Sequence, residues 1–228
     1  HVEAQNNLGG MYQRGEGVKQ DLKEAVRVYT LAADQGHADA QNNLGDMYQL
    51  GKGVTPDLKE AARLYRLAAN QGHAKAQYNL GQMYKRGKGV KQHLKTAAQF
   101  YRLAADQSDS DAQEKLGRMH QIGKGVKQDL KEAARLYRLA ADQGHAAAQN
   151  YLGQMYKRGK GVKQDLKEAA RLYRLAADQG NAVAQYNLGY MYQHGQGVKQ
   201  HLKKAAQFYR LAADQGDYNA QEKLGQMH

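Results

Sequence analysis

The chain has 228 residues, with 34 Lys+Arg against 22 Asp+Glu for a net charge of +12, 25 Gly, one Pro and no Cys. The absence of Cys removes disulfides, thiolate zinc sites, iron–sulfur clusters and Cys nucleophiles together, and the positive balance favours acidic partners. Hydrophobic content of 41% supports a packed core, while no apolar run approaches the ~20 residues of a membrane span.

Other nucleophiles are scarce. Ser occurs only at Ser108 and Ser110, in a Gln-Ser-Asp-Ser-Asp stretch that reads as a loop, and Thr only at Thr30, Thr55 and Thr96. A Ser-His-Asp hydrolase needs its Ser in a rigid, base-paired setting. The compartment is left open, because a Cys-free chain survives in either redox environment. The sequence opens at His1 inside a repeat, without an initiator Met or signal peptide, so a targeting segment would not be visible in it.

Met recurs at Met11, Met47, Met83, Met119, Met155, Met191 and Met227, always 36 residues apart. Such a period marks a repeat array. Ala-Gln-x-x-Leu-Gly starts at Ala4, Ala40, Ala76, Ala112, Ala148, Ala184 and Ala220, giving six full units and the start of a seventh. In chain order, each unit predicts a short helix, a turn and a longer helix. In the second unit the short helix covers roughly Ala40 to Leu50, where Ala40, Leu44, Met47 and Tyr48 form one apolar stripe. Gly45 inside it costs about 1 kcal/mol against Ala, so its recurrence predicts close approach of a neighbouring helix backbone. Gly51 ends the helix as a left-handed C′ residue, and Val54 plugs the turn into the core.

The longer helix covers roughly Asp57 to Gln71. Asp57 followed by Glu60 fits an N-cap carboxylate with Glu at N3. Leu58, Ala61, Ala62, Tyr65, Ala68 and Ala69 form a broad apolar face, and Leu64 and Leu67 add a second apolar side. Lys59, Arg63 and Arg66 share the remaining face, and Gly72 closes the helix. Neither helix buries its apolar faces alone, so the expected fold is all-α: a superhelical solenoid of stacked antiparallel helix pairs. Residues 1–228 form one array without a linker. The ends carry no specialised polar cap, which predicts either continuation past both ends or end-to-end stacking of copies. The terminal fragment would cover the sixth long helix with Leu224 and Met227.

The pattern Ala-x-x-x-Leu-Gly-x-x-Tyr-x-x-Gly-x-Gly-Val-x-x-Asp-x-x-x-Ala-x-x-x-Tyr-x-x-Ala-Ala-x-x-Gly resembles the Sel1-like repeat, a relative of the tetratricopeptide repeat, and covers the whole chain. The resemblance implies a non-enzymatic scaffold or adaptor for protein complexes, often bacterial, in the cytosol, the envelope or secreted. Lacking Cys, the chain stands apart from the subgroup with a disulfide in each repeat. A second period of 108 residues relates Lys91-Gln-His-Leu-Lys to Lys199-Gln-His-Leu-Lys, and His120 to His228. Duplication of a three-unit block suits a binding surface more than an active site.

The chemistry-bearing motifs favour structural roles. Gly87-Lys88-Gly89 lacks the spacing and the Ser/Thr of a phosphate-binding loop. His37, His73 and His145 fall one per repeat after a helix-ending Gly, and no His has metal-ligand spacing, so no metal and no cofactor is expected. His93 and His201 replace the Asp N-cap; neutral imidazole is a poor cap and imidazolium opposes the helix dipole, so these helix starts should fray as pH falls through about 6.5. Asp21, Asp57, Asp129 and Asp165 are caps spaced along a ridge, not a converging acid–base pair. Lys131, Arg135 and Arg138, with Lys167, Arg171 and Arg174, line an outer face, and Lys124, Lys127, Lys160 and Lys163 a loop edge. This basic surface carries the rival reading, electrostatic binding of nucleic acid or an anionic envelope polymer, although no aromatic is interleaved for base stacking.

The positions that differ between units lie opposite the stripe of the short helix: Asn42, Asp46 and Gln49; Tyr78, Gln82 and Lys85; Glu114, Arg118 and Gln121; Asn150, Gln154 and Lys157; Tyr186, Tyr190 and Gln193. Leu50, Arg86, Ile122, Arg158 and His194 flank them. In the related tetratricopeptide family this face lines the concave groove, and Tyr and Arg are favoured contact residues. The expected binding site is therefore Tyr78, Lys85, Arg86, Arg118, Lys157, Arg158, Tyr186 and Tyr190, taking a protein or an acidic peptide, with Tyr186 and Tyr190 four apart as a clamp.

Overall fold

The computed structural model describes residues 1–226, and among these it holds thirteen helices and no strand. Two compact units divide the chain, His1–Ala112 and Gln113 onward. In the first unit, α1 (Val2–Arg14), α3 (Ala38–Leu50) and α5 (Ala74–Arg86) alternate with α2 (Leu22–Asp34), α4 (Leu58–Asn70) and α6 (Leu94–Asp106). Helix α7 (Ser110–Ile122) starts where that unit ends. In the second unit it is followed by α8 (Leu130–Asp142), α9 (Ala146–Arg158), α10 (Leu166–Asp178), α11 (Ala182–His194), α12 (Leu202–Asp214) and α13 (Tyr218–Gly225). Helices consecutive in the chain pack on one another from α1 to α6 in the first unit and from α8 to α13 in the second, so inside a unit antiparallel helix pairs stack one on the next.

The two helices of a repeat are equal rather than short and long: α3 and α4 each span 13 residues. The first helix starts earlier than its apolar stripe predicts, because the residue after the helix-ending Gly is an N-cap. His37 Nδ1 accepts from the Ala40 N–H at 3.2 Å, and His73 and His145 do the same for Ala76 and Ala148. Asn181 and Asp217 fill this slot with a side-chain oxygen. Asp109 does likewise for Ala112 at 2.7 Å, so Ser110 opens α7 instead of lying in a loop.

The second helix begins as the sequence predicts. Asp57 Oδ1 accepts from the N–H groups of Lys59 and Glu60 at 2.9 and 3.0 Å. Glu60 does not reach back to complete a capping box; its carboxylate takes the Arg63 guanidinium one turn on. His93 and His201 also cap, through Nδ1 to Thr96 and Lys204 at 3.2 Å. A ring nitrogen thus does the job, with one longer backbone bond where Asp57 makes two and Asp129 and Asp165 one each.

Alanine fills most of the seam between helices, and one Tyr per repeat fills the rest. Ala61, Ala62, Tyr65, Ala68, Ala69, Ala76, Leu80 and Met83 form one buried cluster, with Leu58, Val90 and Phe100 packed against it. Gly45 lies under the Tyr65 ring, where an added Cβ would come within 2.7 Å of Cε1, and at the equivalent Gly81 and Gly189 the Ala97 and Ala205 carbonyls of the neighbouring helix also lie 3.3 and 3.2 Å from such a Cβ, so ring and backbone both crowd the site. Leu64 is buried but Leu67 is 39% exposed, so the second apolar side is covered only in part. Leu224 packs on the last cluster of the second unit; Met227 and His228 lie outside the described residues. Among the described residues no helix is long and apolar enough to cross a membrane.

Candidate functional site

The repeat builds a cleft where the last turn of one first-kind helix, the start of the second helix of that repeat and the next first-kind helix meet. In the first unit it holds about 350 Å³, with Gln49, Leu50, Leu58, Met83, Arg86 and Lys88 among its walls. In the second unit it holds about 400 Å³, walled by Gln121, Ile122, Leu130, Met155, Arg158 and Lys160, with Arg118 and Tyr151 besides. The six named walls of the first correspond one for one to those of the second, 72 residues on. The loop that carries Lys88 is tightly fixed. Gly87 is left-handed at φ 69°, and a Cβ on Gly89 would overlap the Leu58 carbonyl of the preceding repeat. Only Gly allows that approach.

Of the eight predicted residues, Arg86, Arg118 and Arg158 are exposed on these clefts. Tyr78 also lines the first. Its ring is tilted against Tyr101 with centroids 5.9 Å apart, its hydroxyl accepts from Gln82 at 2.6 Å, and Lys75 Nζ lies 4.6 Å over its face. Lys85 is half-buried behind the rim. Lys157 is half-buried with Nζ 4.2 Å from the Tyr190 centroid. Burial, then neighbouring Arg158, pushes its ammonium below the ordinary lysine value. Tyr186 and Tyr190 engage different neighbours. Tyr186 lies 5.6 Å from Tyr209, and burial followed by Asp217 raises its phenol, whereas Tyr190 stacks on His194 at 4.1 Å.

Several varying positions prove not to be surface. Asn42 is 6% exposed, Asn150 4% and Glu114 1%. The next repeat leans on two of them, Asn79 donating to Asn42 at 3.1 Å and Asn187 to Asn150 at 3.2 Å, while Glu114 pairs with Lys115 of its own helix. Beside them runs a glutamine ladder to which sequence reasoning assigned no role. Gln77 Nε2 donates to the Ala69 carbonyl of the preceding repeat at 3.2 Å, and its Oε1 accepts from Gln107 of its own repeat at 2.8 Å. Gln149 repeats this with Ala141 and Gln179. The signal was present in the sequence, as a Gln after the first Ala and another before the closing Gly of nearly every unit.

The buried Tyr of the second helix donates to a Gln sixteen residues upstream: Tyr29 to Gln13 at 2.9 Å, Tyr137 to Gln121 at 2.9 Å and Tyr209 to Gln193 at 2.7 Å. Tyr65 shares its proton between Asp46 at 2.5 Å and Gln49 at 3.2 Å. Burial, outweighing the Tyr65 bond, raises the Asp46 carboxyl above its usual range. In the fifth repeat Lys157 stands in the Gln slot, and the Tyr173 hydroxyl is buried without a hydrogen-bond partner.

The outer basic face is largely occupied. Arg135 pairs with Glu132 and Arg171 with Glu168 at 2.7 Å. Contrary to the sequence expectation, aromatics do lie along it. Arg138 covers Tyr156 at 5.8 Å, and Arg174 covers Tyr192 at 5.5 Å and Phe208 at 5.8 Å. The guanidiniums lie over those rings; Tyr192 is 7% exposed, whereas Tyr156 and Phe208 are half-buried and Tyr156 lines an open cleft with Arg138 and Lys163. Among the described residues no cluster of His, Asp and Glu is arranged to hold a metal. His37 and His73 instead bridge repeats, to Glu3 and Asp39 at 2.9 Å.

The Sel1 repeat model matches six consecutive segments, residues 2–37, 38–73, 74–109, 110–145, 146–181 and 182–217. These segments begin with the helices, two residues before the Ala-Gln motif. The chain is similar to c5321, described as a protective antigen of uropathogenic Escherichia coli with a Sel1-like-repeat fold. Identity is 38% and the TM-score 0.93, over 99% of this chain and 48% of that one. A Sel1 repeat protein from Oxalobacter formigenes is 37% identical with a TM-score of 0.88, over 100% of this chain and 66% of that one. A Sel1 repeat protein from Klebsiella pneumoniae, 22% identical with a TM-score of 0.54, shares the fold over 87% of this chain and 96% of that one. The chain thus spans about half the length of the first and just under two thirds of the second. Comparison with curated proteins returns no match.

Proposed function

We propose that this chain, which belongs to the Sel1 repeat family of generally non-enzymatic protein-interaction scaffolds, binds acidic peptide or protein segments in the groove that the first-kind helices form within each unit. The contact residues are Tyr78, Lys85 and Arg86 in the first unit and Arg118, Lys157, Arg158, Tyr186 and Tyr190 in the second. One observation carries this reading. Both clefts join an apolar floor to a rim of Arg and Lys with no carboxylate among their lining residues. Guanidinium groups hold carboxylates through paired hydrogen bonds, and a concave apolar site of several hundred Å³ is the ordinary form of a ligand pocket.

The test is a pull-down with the intact chain beside a Tyr186→Ala, Tyr190→Ala variant and an Arg86→Glu, Arg158→Glu variant. Capture should fall by about 2 kcal/mol or more where a hot spot is removed. Unchanged capture by both folded variants overturns the site. The rival, an anionic polymer held by Lys124, Lys127, Lys160 and Lys163, all exposed, is separated by salt. Phosphate binding weakens steeply and log-linearly with salt, whereas an apolar-floored groove should change far less.

A further inference from the structure

The last residue of the first-kind helices alternates along the chain: Arg14, Leu50, Arg86, Ile122, Arg158, then His194. Apolar and basic ends therefore face each other across each cleft, Leu50 with Arg86 and Ile122 with Arg158. Leu50 is 59% exposed and Ile122 49%, unusually open for such side chains beside a buried Met floor. Among the described residues Arg86, Lys88, Arg158 and Lys160 have no carboxylate partner. Within the units, the two other seams differ. Arg14 is already paired with Glu16 at 2.8 Å. Between the fifth and sixth repeats, Lys157 covers Tyr190 at 4.2 Å, and His194 and Gln196 take the rim places that Arg158 and Lys160 hold one repeat earlier.

We infer that the two equivalent clefts each take the same two-part element of an acidic partner segment: one aliphatic side chain on the Leu–Met floor, and one carboxylate on the Arg–Lys rim. The inference rests on the acidic-peptide reading above and adds to it a ligand chemistry and a count, two elements per chain, one in each unit. Charge complementarity selects the occupant. The rim offers two cations and no acid, so a carboxylate gains charge-assisted bonds there and a basic segment is repelled. The floor selects the second part, because unbranched, polarizable Met adapts to an aliphatic guest.

The probe is a blocked five-residue peptide, acetyl-Gly-Glu-Leu-Glu-Gly-amide, titrated into the full chain carrying 13C-methyl Met. Met83 and Met155 line the two floors and should shift together, with binding at two equivalents. Replacing both Glu by Gln, or Leu by Ser, should weaken the response about tenfold or more, as loss of a charge-assisted bond or a buried aliphatic chain does. Arg86→Glu should silence Met83 and spare Met155; Arg158→Glu should do the reverse. Both sites are exposed helix ends, and helix circular dichroism checks the fold. No shift at either Met, a shift that survives the matching Arg→Glu change, or an equal shift with oligo-dT would each overturn the inference. If the probe fails while the pull-down still loses its partner in the Tyr186→Ala, Tyr190→Ala variant, the groove reading stands and only the two-part element falls.

Discussion

Lys157→Gln should make the protein more stable, although it replaces a long side chain in contact with an aromatic ring. In the neighbouring repeats the same slot holds Gln121 and Gln193, each accepting a hydrogen bond from the buried Tyr at 2.9 and 2.7 Å. Lysine accepts nothing, and Tyr173 is left with a buried hydroxyl and no partner. An unmade bond at a buried hydroxyl costs about 1–3 kcal/mol. Against this, the substitution removes the cation over Tyr190, a loss of about 0.5–2 kcal/mol. That loss is offset in part, since burial already disfavours the Lys157 ammonium. The net gain is about 1 kcal/mol, or about 2–4 °C in melting temperature for a chain of this size. Thermal unfolding by circular dichroism measures it, and Tyr→Phe changes locate it. Tyr173→Phe should cost nothing in the natural chain but about 1 kcal/mol after Lys157→Gln, whereas Tyr137→Phe should cost about 1 kcal/mol at once. If Lys157→Gln gives no gain and Tyr173→Phe costs as much as Tyr137→Phe, the hydroxyl has a partner and the reasoning is refuted.

Ser108 is left-handed at φ 67°, where the other repeats place Gly. Ser108→Gly should raise stability by about 1 kcal/mol, and an unchanged or lower melting temperature would speak against a strained turn. Gln149→Ala opens the ladder at both Ala141 and Gln179; a loss of about 2 kcal/mol is expected, and a loss below about 0.5 kcal/mol would mean that water replaces it. His93→Asp with His201→Asp puts a carboxylate cap at both helix starts, as at Asp57 and Asp165, and denaturant unfolding should show a gain of about 0.5–2 kcal/mol. Burial raises the phenols of Tyr65, Tyr137, Tyr173 and Tyr209. Above the ordinary Tyr value of about 10 the unfolded chain therefore releases protons that the folded chain keeps, and stability falls as pH rises. Of the 16 Tyr, these four should form tyrosinate only as the helix signal is lost; full ionisation of all the Tyr while the helices persist would contradict the burial.

Period and stripe were legible because they repeat. Ala40, Leu44 and Met47 are buried as their spacing demands, and Gly51 is left-handed at φ 67° as a C′ residue should be. The start of the first helix was not legible from apolar spacing. It is set by a polar cap that varies in kind, His37 in one repeat, Asp109 in another and Asn181 in a third, and a His lone pair is not a conventional cap. The role of Gly45 was half legible. Its recurrence announced a close neighbour, but only the packing shows the ring that lies over it.

The candidate site was harder to read, because a position that varies between repeats need not face solvent. In a stack, the side opposite one helix's own core stripe is partly claimed by the next repeat, and this claim falls on the Asn42 slot, not on the Leu50 slot eight residues later. Polar residues at the first slot vary because their partners vary: Asn42 meets Asn79, and Glu114, 1% exposed, pairs with Lys115 at 2.5 Å. At the second slot Arg14 pairs with Glu16 and His194 stacks on Tyr190, but among the described residues the four between them have no such neighbour to satisfy. Leu50, Arg86, Ile122 and Arg158 are all exposed, and their alternation of apolar with basic serves no packing contact inside the chain. Variation explained by internal partners is ordinary covariation of a core. Variation left unexplained at open positions, in two copies 72 residues apart, is where a partner's chemistry should be sought.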